Sequence, residues 1–286
     1  MNRFQIITDS CSDLTAELIE QLDLRVIPMA IEYKGKSFLE GEISMQEIYN
    51  GLRAGEEAKT AAVNPETWTA FLEPCLKQGE DVLVIAFSSG LSSTYQSAVI
   101  AAGELQEHYP DRKIRVVDSL CASMGQGLLV WYAAQKRAAG MSLDAVADWV
   151  EENKLHLAHW FTVDDLMFLK RGGRISGATA VMGTMLQIKP VLHVDNEGRL
   201  ISMSKARGRR ASLQALVEKL QKTGLPGENE TVFLSHGDCI EDAEFVAKLL
   251  KERCGVKHVV IGYIGAVIGS HSGPGTVALF FLANQR

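Results

Sequence analysis

Asp81-Val82-Leu83-Val84-Ile85-Ala86-Phe87-Ser88-Ser89-Gly90-Leu91-Ser92-Ser93-Thr94-Tyr95-Gln96-Ser97-Ala98 is the stretch that decides the fold. Asp81 to Phe87 is a continuous apolar run, as expected of a strand buried on both faces. A hydroxyl-rich turn and helix-forming residues follow. The same rhythm occurs on either side. Phe4 to Thr8 is a compact apolar run ending in Asp9-Ser10, and Leu14 to Leu22 recurs at helical spacing. Arg25 to Tyr33 reads as a second strand, and Lys113 to Val117 leads again into serines and a helix. Ser44-Met45-Gln46-Glu47 is a capping box. Asn64-Pro65 places an N-cap before a first-turn proline. Repeated βα units predict a parallel sheet covered by helices.

Beyond about Glu152 the pattern changes. Strand-like runs at His156 to Val163, Lys189 to Val194, Leu200 to Lys205, Thr231 to Ser235 and His258 to Ile264 arrive with fewer intervening helices. Asn196-Glu197-Gly198 joins two of them as a hairpin turn, which implies antiparallel pairing. The apolar run Val277 to Ala283 reads as a buried last strand, far too short to cross a bilayer. An α/β protein of two domains follows: residues 1–154 form a parallel sheet with covering helices, and 155–286 a mixed or antiparallel α/β domain. Gly224 to Asn229 reads as a surface loop within the second.

Composition narrows the function. The chain has 286 residues, 47% of them hydrophobic and 22% charged, with a formal net charge of -6. These values describe an ordinary globular protein and argue against a nucleic-acid or anionic-membrane partner. Five dispersed cysteines form no metal or redox pair and fit a reducing cytoplasm. Met1 to Phe4 leads into a strand, not into the apolar core of a signal peptide.

Ligands of open α/β sheets collect outside the carboxyl ends of the strands. Ser88 to Ser97 crowds hydroxyls at one such end. There, free amides and the helix dipole favour an anion. Plain N-capping would need only one hydroxyl. Thr60, in Lys59 to Pro65, falls in a loop ahead of the next helix, where a lone threonine is ordinarily structural. Gly269-Ser270-His271-Ser272-Gly273-Pro274-Gly275 sets a histidine in a Gly/Pro loop, suited to anion contact, to proton transfer or simply to loop architecture. Lys170 to Arg174 and Lys205 to Arg210 are basic runs in an acidic protein, suggesting a phosphate or partner contact.

Several chemistries lack their usual residues. Gly90-Leu91-Ser92-Ser93-Thr94 has no second glycine for a hydrolase elbow. Neither a Walker A loop nor a complete G-x-G-x-x-G occurs. His156 and His159 sit in strand-like sequence with no obvious carboxylate pair, so no metal is expected.

In combined order, these pieces resemble the DegV family: Thr8-Asp9-Ser10 with Asp13-Leu14, Ser88 to Thr94, and Val117-Asp118-Ser119. Asp165-Leu166 and Leu169 follow, before Arg171-Gly172-Gly173-Arg174-Ile175-Ser176. Lys189-Pro190, Lys205 with Arg207, and His271 to Gly275 complete the match, which spans nearly the whole chain. The resemblance implies two α/β domains with a long-chain fatty acid buried between or beside them. It implies no cofactor and no catalysis by the chain itself. The chain would serve as the acyl-binding subunit of a fatty acid kinase, presenting the carboxylate to a separate ATP-dependent partner. Thr60 and Ser92 match the hydroxyls that hold the carboxylate, with Ser93, Thr94 and His271 beside them. Arg207 and His271 match positions tied to phosphoryl transfer or kinase docking, with Arg174 a further candidate for that surface.

Three motifs depart from the family pattern. Thr60-Ala61-Ala62-Val63 replaces Thr-Ser-Gln-Pro, Ser93 replaces a glycine, and Ser272 replaces a threonine. An acyl tail gains roughly 0.8 kcal/mol per buried CH₂, on the order of 10 kcal/mol before ordering costs. Orientation is left to the head group, which two hydroxyls and helix-end amides could hold without a buried cation. The competing expectations are a stand-alone acyl hydrolase or phosphotransferase using Ser92 and His271, or a lipid-responsive regulatory module.

Overall fold

The computed structural model describes residues 4–175 and 187–286; Ser176 of the Arg-Gly-Gly-Arg-Ile-Ser run lies outside them. The first half runs β1 (Phe4–Asp9), α1 (Ala16–Gln21), β2 (Leu24–Ile27), β3 (Ala30–Tyr33), β4 (Lys36–Leu39), α2 (Met45–Arg53), β5 (Ala58–Ala61) and α3 (Pro65–Lys77). It continues with β6 (Asp81–Ala86), α4 (Thr94–His108), β7 (Ile114–Asp118), α5 (Met124–Ala138) and α6 (Leu143–Asn153). The second half runs β8 (Leu157–Thr162), α7 (Met167–Arg171), β9 (Ile188–Val194), β10 (Leu200–Arg207), α8 (Arg209–Thr223), β11 (Thr231–His236), α9 (Ile240–Cys254), β12 (His258–Tyr263), α10 (Ala266–Ser272) and β13 (Val277–Leu282).

As the βα rhythm predicts, β2-β1-β6-β7 form a parallel sheet. Every residue of β1 and β6 is buried, because helices cover both faces. Ile6, Leu83 and Ile85 share a core with α5 and α6, whereas Ile7, Val82 and Val84 face α3 and α4. The second half forms a mixed sheet in the order β10-β9-β8-β13-β11-β12. Its β9–β10 hairpin is antiparallel, and β11 and β12 are parallel with α9 between them. The fold is α/β with a parallel and a mixed sheet. Helix α5 lies between the two sheets, so glycines are required where it meets its neighbours. A Cβ on Gly125 would sit 2.2 Å from His159 Nε2 and 2.7 Å from Phe280.

The caps form as read. Ser44 accepts from Glu47 N–H, and Asn64 accepts from Thr67 N–H ahead of Pro65. Three expectations need correction. Arg25 to Tyr33 is two strands, because Pro28 has no N–H to continue a ladder. β2 ends at Ile27, and β3 opens a separate antiparallel sheet, β4-β3-β5. Thr60 therefore lies in β5, opposite Ile31, and not in a loop. The helix expected over Leu14 to Leu22 is confined to Ala16–Gln21, because Asp13 is left-handed and Thr15 caps the start.

Asp9 and Asp118 play equivalent parts at the ends of β1 and β7. Asp9 accepts from Cys11 and Phe87 N–H, and Asp118 from Ser89 and Leu120 N–H. Each carboxylate fastens a loop at the strand ends, and that places the hydroxyl turn before α4.

Candidate functional site

A cavity of about 170 Å³ opens where the α4 turn, β5 and α10 converge. Its wall is mainly apolar, with Phe87, Leu91, Phe161, Leu169, Val267 and Phe280 among its residues. Thr60, Ser92, Ser93, Arg174 and His271 are among its polar lining residues. Thr60, Arg174 and His271 also border an adjoining polar recess with Lys59, Glu56 and Arg171, so they stand between apolar interior and outside.

β5 points Thr60 inward while Lys59 and Ala61 are exposed. Thr60 Oγ1 lies 2.8 Å from His271 Nε2. His271 is on the last turn of α10, not in a loop: the helix persists through Ser272 and ends at left-handed Gly273. Burial, with Arg174 nearby, lowers the His271 pKa to about 4, so the imidazole is neutral at ordinary pH. A Cβ on Gly172 would come 2.2 Å from His271 Nδ1, so that glycine lets the Arg171–Arg174 turn approach the ring.

The hydroxyls before α4 divide their work. Ser88 is buried and donates to Gly198 O, joining the turn to the β9–β10 hairpin. Ser92 Oγ accepts from Thr94 N–H and lies 2.9 Å from Thr94 Oγ1. Ser93 occupies the N-cap without a side-chain cap bond and lines the cavity. Thr94 is fully buried behind Ser92, where its hydroxyl also accepts from Val63 N–H; it does not line the cavity.

Arg174, expected at a phosphate or partner surface, stands on the cavity wall. Its Nε donates to Leu91 O at 3.3 Å and Nη1 to Gly172 O, which holds the guanidinium on the cavity wall. Burial lowers its pKa. Arg207 lies elsewhere, exposed at the end of β10 and outside the cavity lining. Nearby, Arg209 contacts Asp242 and Asp164, and Lys189 bonds Asp164.

Sequence reasoning missed Met29, exposed to the cavity by the break at Pro28, and His159, which lines the wall from β8. Alternation along β8 offered a signal, since Phe161 lines the same cavity two residues on. Ser272 also lines it, and its buried hydroxyl lacks a partner among the described residues. The arrangement holds an anion better than it performs acyl transfer. His271 bonds Thr60, and Ser92 bonds Thr94, so no Ser92–His271 hydrogen bond links nucleophile to base.

The chain is similar to known proteins over nearly its whole length. A family model described as an uncharacterised protein of the DegV family matches residues 3–284. A DegV domain-containing protein of Clostridium perfringens is 44% identical over 289 residues, covering 100% of this chain and 99% of its own. The fatty-acid-binding DegV family protein of Thermus thermophilus has a TM-score of 0.88 at 32% identity, covering 98% of this chain and 99% of that one. A DegV family protein of Ruminococcus gnavus, solved with vaccenic acid, also reaches 0.88, at 25% identity and with coverage of 97% and 99%. With its parallel and mixed sheets, its apolar cavity and a match over nearly its whole length, the chain belongs to the DegV family.

Proposed function

We propose that this protein binds one long-chain fatty acid, its tail in the apolar cavity and its carboxylate among Thr60, Ser92, Ser93 and His271, with Arg174 supplying positive charge. The domains divide near Lys154, and the cavity lies between them. The observation that carries this proposal is the 2.8 Å contact between Thr60 and neutral His271 at the polar edge of an apolar cavity. Neutral hydroxyls and imidazole can donate to a carboxylate, and a nearby guanidinium offsets its charge. Fatty-acid binding by the Thermus thermophilus relative supports the same ligand class.

The bound acid is presented to a separate ATP-dependent kinase. The polar recess beside Thr60, Arg174 and His271 supports this role, because it gives a second reactant a route to the carboxylate. Arg207 is exposed and its side chain has no hydrogen bond or ion pair among the described residues, which leaves it available as a kinase contact. The chain itself supplies no covalent catalysis, and its setting is the cytoplasm. No helix among the described residues is long and apolar enough to cross a membrane.

Denaturing extraction followed by mass spectrometry tests the ligand assignment. A stoichiometric long-chain fatty acid is expected; consistently lipid-free protein from lipid-replete cells would overturn it. Coupled assays with a fatty acid kinase and ATP test presentation, and turnover of an acyl ester by the protein alone would defeat the carrier role.

A further inference from the structure

Helix α10 carries His271 and contributes Val267, Ile268 and Ser272 to the cavity wall. It belongs to the second half of the sequence, yet residues of the first half hold its N-terminal end. Asp13 Oδ1 accepts from Gly265 N–H at 2.9 Å, and Glu40 Oε1 accepts from Val267 N–H at 3.0 Å. Tyr49 donates its hydroxyl to Ile264 O at 2.9 Å. Ser123 donates to the other oxygen of Asp13 and lies 3.0 Å from Ser235 Oγ, fixing that carboxylate from the opposite side.

Gly265 is tightly enclosed by this arrangement. A Cβ there would come 2.4 Å from Glu40 Oε1 and 2.6 Å from Asp13 Oδ1. Asp13 and Glu40 therefore converge on one backbone turn from different parts of the first half. Asp13 follows β1, and Glu40 ends the β3–β4 hairpin region. Burial pushes both carboxyls up, and Glu40 adds to the rise at Asp13. A protonated carboxyl still has an oxygen that can accept a backbone N–H.

We propose that Asp13 and Glu40 are positioning residues for the fatty-acid head group: by accepting from the first amides of α10 they set the helix so that His271 meets Thr60. This rests on the fatty-acid function proposed above. Neither residue lines the cavity. They act through the helix, whose other end carries the imidazole. The short helix has few intrahelical bonds of its own, so external acceptors for its first amides matter more than in a long helix.

Lipid-stripped full-length protein is titrated with hexadecanoic acid and with hexadecan-1-ol, which shares the tail and lacks the carboxylate. Glu40→Ala is expected to weaken acid binding about tenfold and alcohol binding by less than about twofold. Glu40→Gln retains an acceptor and should stay within about twofold of wild type for both. A wild-type preference for the acid that survives Glu40→Ala overturns this inference alone. So does an equal fall for acid and alcohol, which would mark a scaffold role. A wild type with no acid preference overturns the head-group proposal and this inference with it. Independently of any variant, Gly265 and Val267 amides should exchange about 100-fold more slowly than unstructured ones. Unprotected amides at both positions overturn the inference.

Discussion

His159 and His271 both line the cavity, and burial, complete at His159 and partial at His271, holds both imidazoles neutral, yet they occupy different kinds of position. His159 Nε2 accepts from Ala122 N–H at 3.3 Å, and Nδ1 lies 3.0 Å from Leu157 O. Both its nitrogens are committed to backbone, and its ring packs edge-on to Phe280 at 5.3 Å. His271 instead faces a rotatable hydroxyl, a guanidinium and a polar recess. Residue type is the same, and burial differs only in degree. What separates wall from site is the partner: a backbone group cannot turn toward a ligand, whereas a hydroxyl can redirect its proton.

The largest expected effect tests that difference directly. His159→Ala empties a core position and leaves Ala122 N–H without its acceptor, so stability should fall by about 3 kcal/mol. His271→Ala should cost about 1 kcal/mol, while weakening fatty-acid binding. Urea unfolding of both variants measures the gap, and equal losses would break the contrast. Next in size is Arg174→Ala, expected to reduce hexadecanoic-acid affinity by about 1.5–3 kcal/mol through loss of a charged hydrogen-bonding partner. Unchanged affinity by calorimetry would remove the guanidinium from the head-group site.

Loss of one hydroxyl should be milder. Thr60→Ala or Ser92→Ala is expected to weaken acid binding by about 1–2 kcal/mol with the fold intact. Wild-type affinity in both single variants and the double variant would reject these positions.

The effects of pH sharpen the comparison further. His271 has its pKa lowered to about 4 from an ordinary 6.5. Its neutral-state contribution to stability is therefore present above 6.5 and lost as pH falls through about 4. Asp9, buried beside Gln126, is raised to about 6 from 3.8. Its contribution is present below 3.8 and lost as pH rises through about 6. His271→Gln should flatten the acid limb of the stability profile, and Asp9→Asn should flatten the opposing slope near pH 6. The smallest effect belongs to Arg207→Ala: lipid affinity should change less than about twofold because the side chain is outside the cavity. A larger loss in a lipid titration would place Arg207 in lipid retention, not in partner contact.

Local pattern made the fold class legible. Continuous apolar strands, the caps at Ser44 and Asn64, and the hairpin at Asn196 to Gly198 are near-neighbour properties, written in adjacent residues. The three-stranded sheet was less accessible, because a single proline divides a run with otherwise uniform strand character and its short strands are partly exposed. Thr60 gained its setting only from that division.

From the sequence alone come the βα rhythm, the change to a mixed sheet beyond residue 154, the hydroxyl cluster at an α4-type junction and the resemblance that singles out Thr60, Ser92 and His271. Tertiary structure decided which of those hydroxyls face the cavity. It turned Thr94 into support for Ser92, brought Arg174 onto the cavity wall, and set His271 against a threonine 211 positions away. The physical reason is separation along the chain. Periodicity and caps are determined within a few residues, whereas a hydrogen bond between β5 and α10 exists only after distant elements pack and exclude water from the groups between them.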